Sequence, residues 1–462
     1  QECGSSVVCG VEGGDSMAKL RILMVSDFFL PNMGGIEMHI YQLSQCLLLR
    51  GHKVVVVTHA YGERKGVRYM TNGLKVYYLP QVPIYNNNSL PSVFPTIAIL
   101  RTILIRERID VIHGHQAFSS LAQESIVTGM TLHYPTVFTD HSLFGFRDAA
   151  SIHTNKLLKM VLMDATHVIC VSNTSKENTY LRASLDERRI SVIPNAVDAT
   201  AFCPRAAPMG KSPGDPVVIV IISRLTYRKG ADLMIAVIPA ICKRFANVRF
   251  LVGGDGPKFS ELEQMREEHH LVERVTLLGS VEHDNVRDVL VQGDIFLNCS
   301  LTEAFCIAIV EAACCGLRVV ATDVGGVHEA LPRDMVHLAA PRPSKLIAAL
   351  EQAISEVHAS PHDPWVFHNR VKEMYSWFDI AARTEKVYHR VLTVRPPERI
   401  ERFNRFFTIG SWAGILWMCC VVVGYFYILF LEWMIPRDSI EVFPDFVFAE
   451  KVPPVLSGTS KV

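Results

Sequence analysis

The chain has 462 residues, of which 46 are basic and 46 are acidic, so its formal net charge is zero. A nucleic-acid-binding protein normally has a basic surface, and the charge balance argues against that class. The length is sufficient for two to three domains with substantial cores. The 12 cysteines are not spaced as Cys-x-x-Cys pairs. This spacing argues against a zinc site or a disulfide framework and favours a reducing compartment.

The N-terminal part of the chain predicts a disordered extension followed by an α/β domain. Residues 1–18 are rich in glycine and serine and lack a long apolar run, so they do not match a signal peptide. Residues 19–205 then alternate apolar strands with helices, as is typical of a parallel, doubly wound sheet. The predicted strands of this first domain are Arg21–Val25, Lys53–Thr58, Val111–His113, Thr136–Asp140, His167–Val171 and Ile190–Ile193.

Two glycines stand where the first strand turns into its helix. Gly34 and Gly35 would let the backbone approach a ligand phosphate at the helix N-terminus without a Cβ in the way. An ordinary tight turn explains the pair equally well, because the spacing is not the dinucleotide-binding fingerprint. These two residues alone leave both interpretations open.

One stretch of the first domain has an unusual composition. Pro83–Ile109 combines many apolar residues with Arg101, Arg106 and Arg108. Apolar residues with arginines among them suit the interfacial region of an anionic membrane. A plain amphipathic helix of the core is the alternative, and it is the commoner structure.

A second domain follows a short linker. The proline-rich residues 206–216 predict the linker, and residues 217–375 repeat the α/β alternation. The loop after the first strand of this domain contains Arg224 and Lys229. Basic residues between a strand and a helix add positive charge to the helix N-terminus, which suits a diphosphate, although surface loops often carry such charges. The chain therefore predicts two tandem Rossmann-like α/β domains, each with its ligand edge at the strand carboxyl ends.

Within the second domain, Asp294–Gly326 predicts one strand, helix and strand unit. Glu303 would open the helix, and Glu311 would lie inside it. Because ligands bind outside the carboxyl ends of parallel strands, Ser300–Phe305 would lie at a ligand site. Alternatively, Ser300 and Glu303 form a capping box and Glu311 is a solvated helical residue.

The C-terminal part predicts a single membrane span. Residues 376–405 predict a helix and an arginine-rich approach to the membrane, and residues 406–431 form an uncharged run. At about 1.5 Å per residue such a run crosses a bilayer of roughly 30 Å. Residues 432–462 form a short tail that begins with several acidic residues. The positive-inside rule therefore places the large N-terminal part in the cytosol and the tail on the luminal side.

Taken together, these motifs resemble family 4 of the GT-B glycosyltransferases. Glu303 and Glu311 match the Glu-x7-Glu motif of that family, and the likeness covers about Leu20 to Lys386. Four longer stretches resemble the A subunits of phosphatidylinositol N-acetylglucosaminyltransferase: Ser26–Glu37, Thr136–Phe146, Val171–Asn178 and Ser223–Gly230. The resemblance implies a GT-B fold with a C-terminal transmembrane helix.

The resemblance also implies roles for single residues. The implied catalytic residues contact the donor sugar or its diphosphate: Arg224, Lys229, Glu303 and His141. The implied donor-binding positions are Gly34, Gly35, Gly254, Asp255, Gly256, Ala304, Phe305 and Glu311, with Glu311 on the ribose. Two aspartates are implied beside the acceptor: Asp27 and Asp140. The charge that develops on a leaving diphosphate explains why fixed cations and helix N-termini are needed there.

The implied reaction transfers N-acetylglucosamine from UDP-GlcNAc to phosphatidylinositol, with retention, as the first step of GPI-anchor biosynthesis. The implied place is the cytosolic face of the endoplasmic reticulum membrane, and the implied partners are the subunits PIG-C, PIG-H, PIG-P, PIG-Q and PIG-Y. The sequence has no Asp-x-Asp motif. We therefore expect no metal cofactor.

Other functions fit parts of the pattern. A UDP-GlcNAc epimerase also closes two such domains on the nucleotide sugar, although it needs neither a membrane span nor the Glu303–Glu311 motif. A family 4 transferase with another lipid or glycan acceptor, or a scaffold that has lost activity, would share the fold. The intact Arg224 and Lys229 argue against the scaffold.

Overall fold

The computed structural model describes residues 18–81, 83–85, 88–89, 94–143, 149–205, 214–359 and 363–444. Three predicted segments lie partly or largely outside this description. They are the N-terminal extension up to residue 17, residues 206–213 of the linker, and the tail beyond residue 444.

The first sheet has eight strands in the order β10-β9-β8-β7-β1-β2-β4-β3, and all its pairings are parallel except that of β3. The strands of this part of the chain are β1 Arg21–Val25, β2 Lys53–His59, β3 Gly66–Tyr69, β4 Lys75–Leu79, β5 Pro83–Tyr85, β6 Asn88–Ser89, β7 Val111–His115, β8 Thr136–Asp140, β9 His167–Cys170 and β10 Ile190–Val192. β5 and β6 pair with each other in a separate two-stranded sheet. The central strands are buried on both faces, which explains their continuous apolar sequences.

Helices cover both faces of the first sheet. They are α1 Gly35–Leu49, α2 Phe94–Arg106, α3 Ser120–Thr131, α4 Ala149–Asp164 and α5 Asn173–Ala183. Ser119 and Ser172 cap α3 and α5, since each hydroxyl accepts a hydrogen bond from a backbone N–H of the first turn. We call this sheet and its helices the first unit.

The second sheet has six parallel strands in the order β13-β12-β11-β14-β15-β16. They are β11 Val217–Ile222, β12 Val248–Gly253, β13 Val275–Gly279, β14 Ile295–Asn298, β15 Arg318–Thr322 and β16 Val336–Ala339. Its helices are α6 Ala231–Arg244, α7 Phe259–Glu268, α8 His283–Leu290, α9 Ile307–Cys314, α10 Val327–Ala330, α11 Pro343–Ala359 and α12 Pro364–Met374. We call this part the second unit.

The strands predicted from apolar runs are all present, and three others of the two large sheets were not predicted. β3 is an exposed edge strand, so it has no apolar run. Polar residues shorten the apolar runs of the other two strands, Lys75 at the start of β4 and His337 inside β16. Their pairing with neighbours in the sheet stabilises them as strands.

The next helix, α13 Trp377–Leu392, returns to the first unit. Its Glu385 accepts a hydrogen bond of 2.7 Å from Arg50 Nε, and its other carboxylate oxygen lies 3.0 Å from His52 Nε2. Tyr388 pairs with His113 at 2.7 Å. The C-terminal part of the chain is therefore fastened to the N-terminal unit by buried polar contacts.

Two further helices complete the described chain, α14 Arg399–Phe406 and α15 Ser411–Met434. The predicted run 406–431 is interrupted at Gly410, whose φ of 130° ends the short turn Phe407–Ile409 before α15 begins. Among the described residues, α15 is the one helix long and apolar enough to cross a membrane, and its mean hydropathy reaches 2.3.

Replacing Glu385 tests the attachment of α13. Glu385→Ala leaves Arg50 and the buried His52 without their shared acceptor, and loss of one partner of a buried pair costs about 3–5 kcal/mol. We expect the melting temperature of the purified chain to fall by several degrees. Glu351→Ala, which removes a partly exposed ion pair with Arg244, is the matched control and should change it little. Equal melting temperatures for the two variants would contradict the attachment.

Candidate active site

A cavity of about 930 Å³ lies between the two units. Seven of the predicted donor-site residues line it: Gly34, Gly35, Arg224, Gly254, Asp255, Gly256 and Glu311. Several of these follow the carboxyl ends of β1, β11 and β12, as expected for parallel sheets. The two sheets therefore present their ligand edges to one cleft.

Two helices, one from each unit, begin at the wall of this cavity. α1 begins at Gly35, and a Cβ on Gly35 would lie 3.8 Å from Ile307 Cγ2, at the first residue of α9. Unpaired N–H groups and the helix dipole make each N-terminus partially positive. A bound diphosphate would be stabilised from both sides of the cleft.

Glu37 lies over the N-terminus of α1 and was not predicted as a site residue. A Cβ on Gly34 would lie only 2.6 Å from Glu37 Oε2, so a larger residue there would make this carboxylate shift. Burial raises the pKa of Glu37, although backbone N–H groups of Glu37 and Ile36 and the charge of Arg224 oppose the shift. Glu37 is therefore a buried acid beside the predicted diphosphate cation.

The basic loop after β11 is joined to the loop after β14. Lys229 Nζ donates a hydrogen bond of 2.5 Å to Glu303 Oε1, which also accepts one of 2.7 Å from Ser300 Oγ. Burial, the largest single effect, disfavours the ammonium of Lys229, but the charge and hydrogen bond of Glu303 together with the Cys306 thiol raise the pKa of Lys229. Gly230 has a φ of 74°, and a Cβ there would lie 1.8 Å from the Cys299 carbonyl oxygen. Only glycine allows the two loops to approach this closely.

The helix predicted to open at Glu303 begins later, which corrects the sequence interpretation. α9 starts at Ile307, after Cys306 with a φ of 67°, so Glu303 lies in the preceding loop and no capping box forms. Ala304 and Phe305 therefore precede the helix and are buried. Ser172 of the first unit donates a hydrogen bond of 2.6 Å to the Ala304 carbonyl oxygen. The loop is held by these contacts in place of helical hydrogen bonds.

Glu311, the second acid of the pair, does lie inside α9 and lines the cavity. Burial raises its pKa to about 7. The solvated helical residue considered from the sequence is thus not what the structure shows. A carboxyl group in this position can exchange hydrogen bonds with hydroxyl groups in the cleft.

His141 belongs to a cluster of histidines on the first unit. His39, His115 and His141 present ring nitrogens that all lie within 4.8 Å of one another. Burial lowers the pKa of all three, that of His39 to about 4, so the rings are neutral at pH 7. Neutral imidazoles are common metal ligands, and this cluster could hold a metal ion.

Both aspartates predicted beside the acceptor are buried. Asp27 is 0% exposed, and its Oδ2 accepts hydrogen bonds from Ser119 Oγ at 2.7 Å and Leu121 N at 2.9 Å. Asp140 is also 0% exposed and accepts from Thr179 Oγ1 at 2.8 Å. Both carboxylates are enclosed and hydrogen-bonded within the first unit, and their place beside an acceptor stays a prediction. They hold the loops of the first unit.

Other cavity residues were missed because they lie far apart in the chain. Asn195 contacts His39 at 3.0 Å, and both line the cavity together with Trp377 of α13. No local motif marks Trp377, since only the return of α13 to the first unit brings it there. His39 lies in the stretch after the two glycines and could have been considered with them.

Comparisons with known proteins support these assignments of fold and family. The family model PIGA (GPI anchor biosynthesis) matches residues 59–148, and the model Glycosyl transferases group 1 matches residues 207–363. The A subunit of phosphatidylinositol N-acetylglucosaminyltransferase from Arabidopsis thaliana is 55% identical over 92% of this chain and 94% of its own length. The corresponding A subunit from Homo sapiens is 50% identical over 91% of this chain and 87% of its own.

The chain belongs to the family of phosphatidylinositol N-acetylglucosaminyltransferase A subunits. It is a group 1 glycosyltransferase of GPI-anchor biosynthesis, which confirms the resemblance read from the motifs.

Solved structures show the same fold at low sequence identity. Sucrose-phosphate synthase from Thermosynechococcus elongatus superimposes with a TM-score of 0.67 at 20% identity, over 81% of this chain and 99% of its own. Anabaena Alr3699/HepE in complex with UDP gives a TM-score of 0.64 at 18% identity, over 80% of this chain and 100% of its own. The predicted GT-B fold is confirmed.

The raised pKa of Glu311 leads to a stability prediction. The unfolded chain releases this proton near the ordinary value of 4.5, whereas the folded chain keeps it until about 7. The folded state thus binds more protons between these values, so the contribution of Glu311 to stability falls as the pH rises from about 4.5 to 7. Glu311→Gln removes this contribution. The melting temperature of the Glu311→Gln variant, measured relative to that of the unchanged chain, should rise as the pH rises from about 4.5 to 7. If the difference between the two melting temperatures does not change with pH, the raised pKa of Glu311 is contradicted.

Proposed function

We propose that this chain transfers N-acetylglucosamine from UDP-GlcNAc to phosphatidylinositol, with retention of the anomeric configuration. The two relatives support the reaction, since both are A subunits of phosphatidylinositol N-acetylglucosaminyltransferase. The observation that carries the donor site is the single cavity that combines Arg224, Glu311 and the start of α1. Such a cavity suits a nucleotide sugar, which has an anionic centre and a hydroxyl-rich group at each end.

The proposed role of the cations is to stabilise the leaving UDP. Cleavage of the sugar–phosphate bond builds negative charge on the diphosphate, and preorganised donors lower the barrier most where charge develops. Arg224 lines the cavity, and Lys229 is kept protonated beside Glu303. The N-termini of α1 and α9 add partial positive charge from both units.

The two glutamates would bind the two sugars of the donor. Glu303 is oriented by Ser300 and Lys229, and in our proposal it accepts hydrogen bonds from the hydroxyls of the transferred sugar. Glu311 would bond the ribose, with Gly254, Asp255 and Gly256 beside the nucleotide. His141 would face the donor sugar from the first unit, with its ring placed against His39. These roles rest on the family motif together with the positions of the side chains.

The proposed setting is the endoplasmic reticulum membrane, with the catalytic body in the cytosol and PIG-C, PIG-H, PIG-P, PIG-Q and PIG-Y as partner subunits. The relatives are themselves described as subunits, which supports assembly into a complex. The arginines that precede α15 support the cytosolic placement. By the same rule the tail beyond α15 lies on the luminal side.

An assay of membranes containing the assembled enzyme, with labelled UDP-GlcNAc and a panel of lipids, tests the proposed reaction. Label should enter phosphatidylinositol and depend on it. If label enters another lipid instead, that lipid is the acceptor and phosphatidylinositol is not. Conversion of UDP-GlcNAc without any lipid would indicate an epimerase.

Removing either cation should abolish most turnover while the protein still folds. Loss of one preorganised charge-stabilising donor costs about 10²–10³-fold in kcat, and we expect this for Arg224→Ala and for Lys229→Ala. Arg228→Ala is the matched control, because Arg228 is an exposed cation of the same loop whose Nη2 contacts the Leu143 carbonyl oxygen weakly, at 3.4 Å. Near-normal kcat in a folded Lys229→Ala enzyme would remove Lys229 from the diphosphate role.

Treatment with a chelator distinguishes catalysis without a metal ion from catalysis that needs an ion held by the histidine cluster. We expect full activity after removal of divalent cations, because cations of the protein neutralise the diphosphate. A loss of activity that manganese or zinc restores would contradict this expectation. If manganese or zinc restores the activity of the unchanged enzyme but not that of the His39→Ala variant, the ion is assigned to the cluster of His39, His115 and His141.

A further inference from the structure

A second cavity lies at the edge of the first sheet that is opposite to the cleft. Its volume is about 190 Å³, and its wall includes the residues that directly precede β8 and β9: Pro135, Ala165 and Thr166. The cleft, in contrast, lies at the carboxyl ends of the strands. Since one water molecule occupies about 30 Å³ of the liquid, this cavity has room for a phosphate group and several waters. We call it the basic pocket.

Five arginines line the basic pocket: Arg188, Arg189, Arg390, Arg395 and Arg405. Two of them precede β10, one lies in the last turn of α13, one follows that helix, and one belongs to α14. Among the described residues that form the wall, none is an aspartate or a glutamate. The fold therefore gathers cations from separate parts of the chain around one cavity.

Contacts within the protein account for three of these arginines. Arg188 and Arg405 each form an ion pair with an acidic residue of the same segment. Arg189 donates hydrogen bonds to two backbone carbonyl oxygens at the C-terminal end of α4, where a cation is favoured. These three side chains are satisfied without a ligand.

The other two arginines have no such contacts. Within the part of the chain that the structure describes, the side chains of Arg390 and Arg395 form neither an ion pair nor a hydrogen bond. Both residues are exposed at the rim of the pocket. A solitary arginine on an open surface needs no partner, but these two border a cavity that already holds three other cations. Their guanidinium groups are available to a ligand.

The charges around the basic pocket lie close enough together to act on one another. The charge of Arg405 adds to burial in lowering the pKa of Arg189, and nearby aspartates oppose this shift. Burial, together with the charges of Arg390 and Arg189, lowers the pKa of the lining residue His167 to about 4. An anion in the pocket would reduce this repulsion. Guanidinium groups suit a phosphate, because paired N–H donors match its oxygens.

The basic pocket also lies close to the start of the apolar helix α15. Arg405 lines the pocket and α15 begins at Ser411, so the chain between them spans at most roughly 20 Å. The positive-inside rule places this end of the helix at the cytosolic surface of the membrane. Anionic lipids are presented at that surface, and basic pockets beside membrane helices bind their headgroups.

We propose that the basic pocket binds the headgroup phosphate of an anionic phospholipid in the cytosolic leaflet, with Arg390 and Arg395 as the main donors. The bound lipid holds the first unit in one orientation at the membrane surface. This inference rests on the cytosolic placement proposed above. It goes beyond the transfer reaction, because the pocket and the donor site lie at opposite edges of the strands. An acidic segment of another subunit is the alternative occupant, and the position beside α15 favours the lipid.

Retention of a labelled lipid tests the pocket. The assembled enzyme is purified in an uncharged detergent and mixed with radiolabelled phosphatidic acid, which carries the phosphate without the inositol of the proposed acceptor. The label that remains with the enzyme after gel filtration is measured. The double variant Arg390→Gln with Arg395→Gln should retain at least about tenfold less label than the unchanged enzyme.

The matched control removes two exposed arginines of the second unit, Arg249→Gln with Arg333→Gln, and so changes the net charge equally. This control should retain as much label as the unchanged enzyme. Equal retention by the two double variants would overturn the proposal. Inorganic phosphate at the concentration of the lipid should not displace the label. Displacement would show that the pocket takes free phosphate and would overturn the assignment to a lipid.

A photoreactive side chain identifies the occupant in membranes. Benzoylphenylalanine in place of Val394, which is exposed and lines the pocket, should form adducts with phospholipid. An adduct with another subunit as the main product would assign the pocket to a protein partner and overturn the proposal. Transfer to phosphatidylinositol is measured on the same membranes. A lipid adduct without transfer would contradict the proposed function alone, and transfer without a lipid adduct would contradict the lipid site alone.

Discussion

The hydrogen-bonded ion pair between Lys229 and Glu303 is the contact on which the proposed donor site depends. It exists because β11 and β14 are neighbours in the second sheet, so the loops at their carboxyl ends meet. Gly230 lets the two backbones approach, and Ser300 adds a second bond to the carboxylate. One pair thus keeps a lysine charged and orients a glutamate, and this lysine is close enough to interact with the charge of Arg224, which lines the cavity.

Much of the fold could be predicted from the sequence, because buried parallel strands require continuous apolar runs. The site was less predictable where tertiary contacts decide the backbone. Glu303 was expected to open a helix, but its bonds to Lys229 and Ser300 and the positive φ of Cys306 delay the helix to Ile307. Asp27 is implied beside the acceptor by the family resemblance, and the structure adds that its carboxylate binds Ser119 and the start of α3. No local pattern distinguishes a loop carboxylate that faces a ligand from one that caps a helix.

Contacts between distant parts of the chain were beyond the reach of sequence patterns. Arg50 and Glu385 are 335 residues apart, and Arg101 and Glu432 are 331 apart. Composition and hydropathy correctly indicated a long apolar helix, but they describe only its side chains. The positive-inside rule takes into account the charged residues on either side of the helix, but it does not say which residues the helix packs against.

The attachments of the C-terminal helices also decide which parts of the chain form one body. α13 and α14 follow the second unit in the chain, yet Glu385 and Arg402 fasten them to the first unit. The two units also meet directly. The buried Ser172 hydroxyl donates to the Ala304 carbonyl oxygen, and the Asn173 N–H donates to Glu329 at 2.6 Å. The loop that carries Glu303 and Ala304 is thereby held against the unit that contributes Gly34, Gly35 and His39 to the cavity.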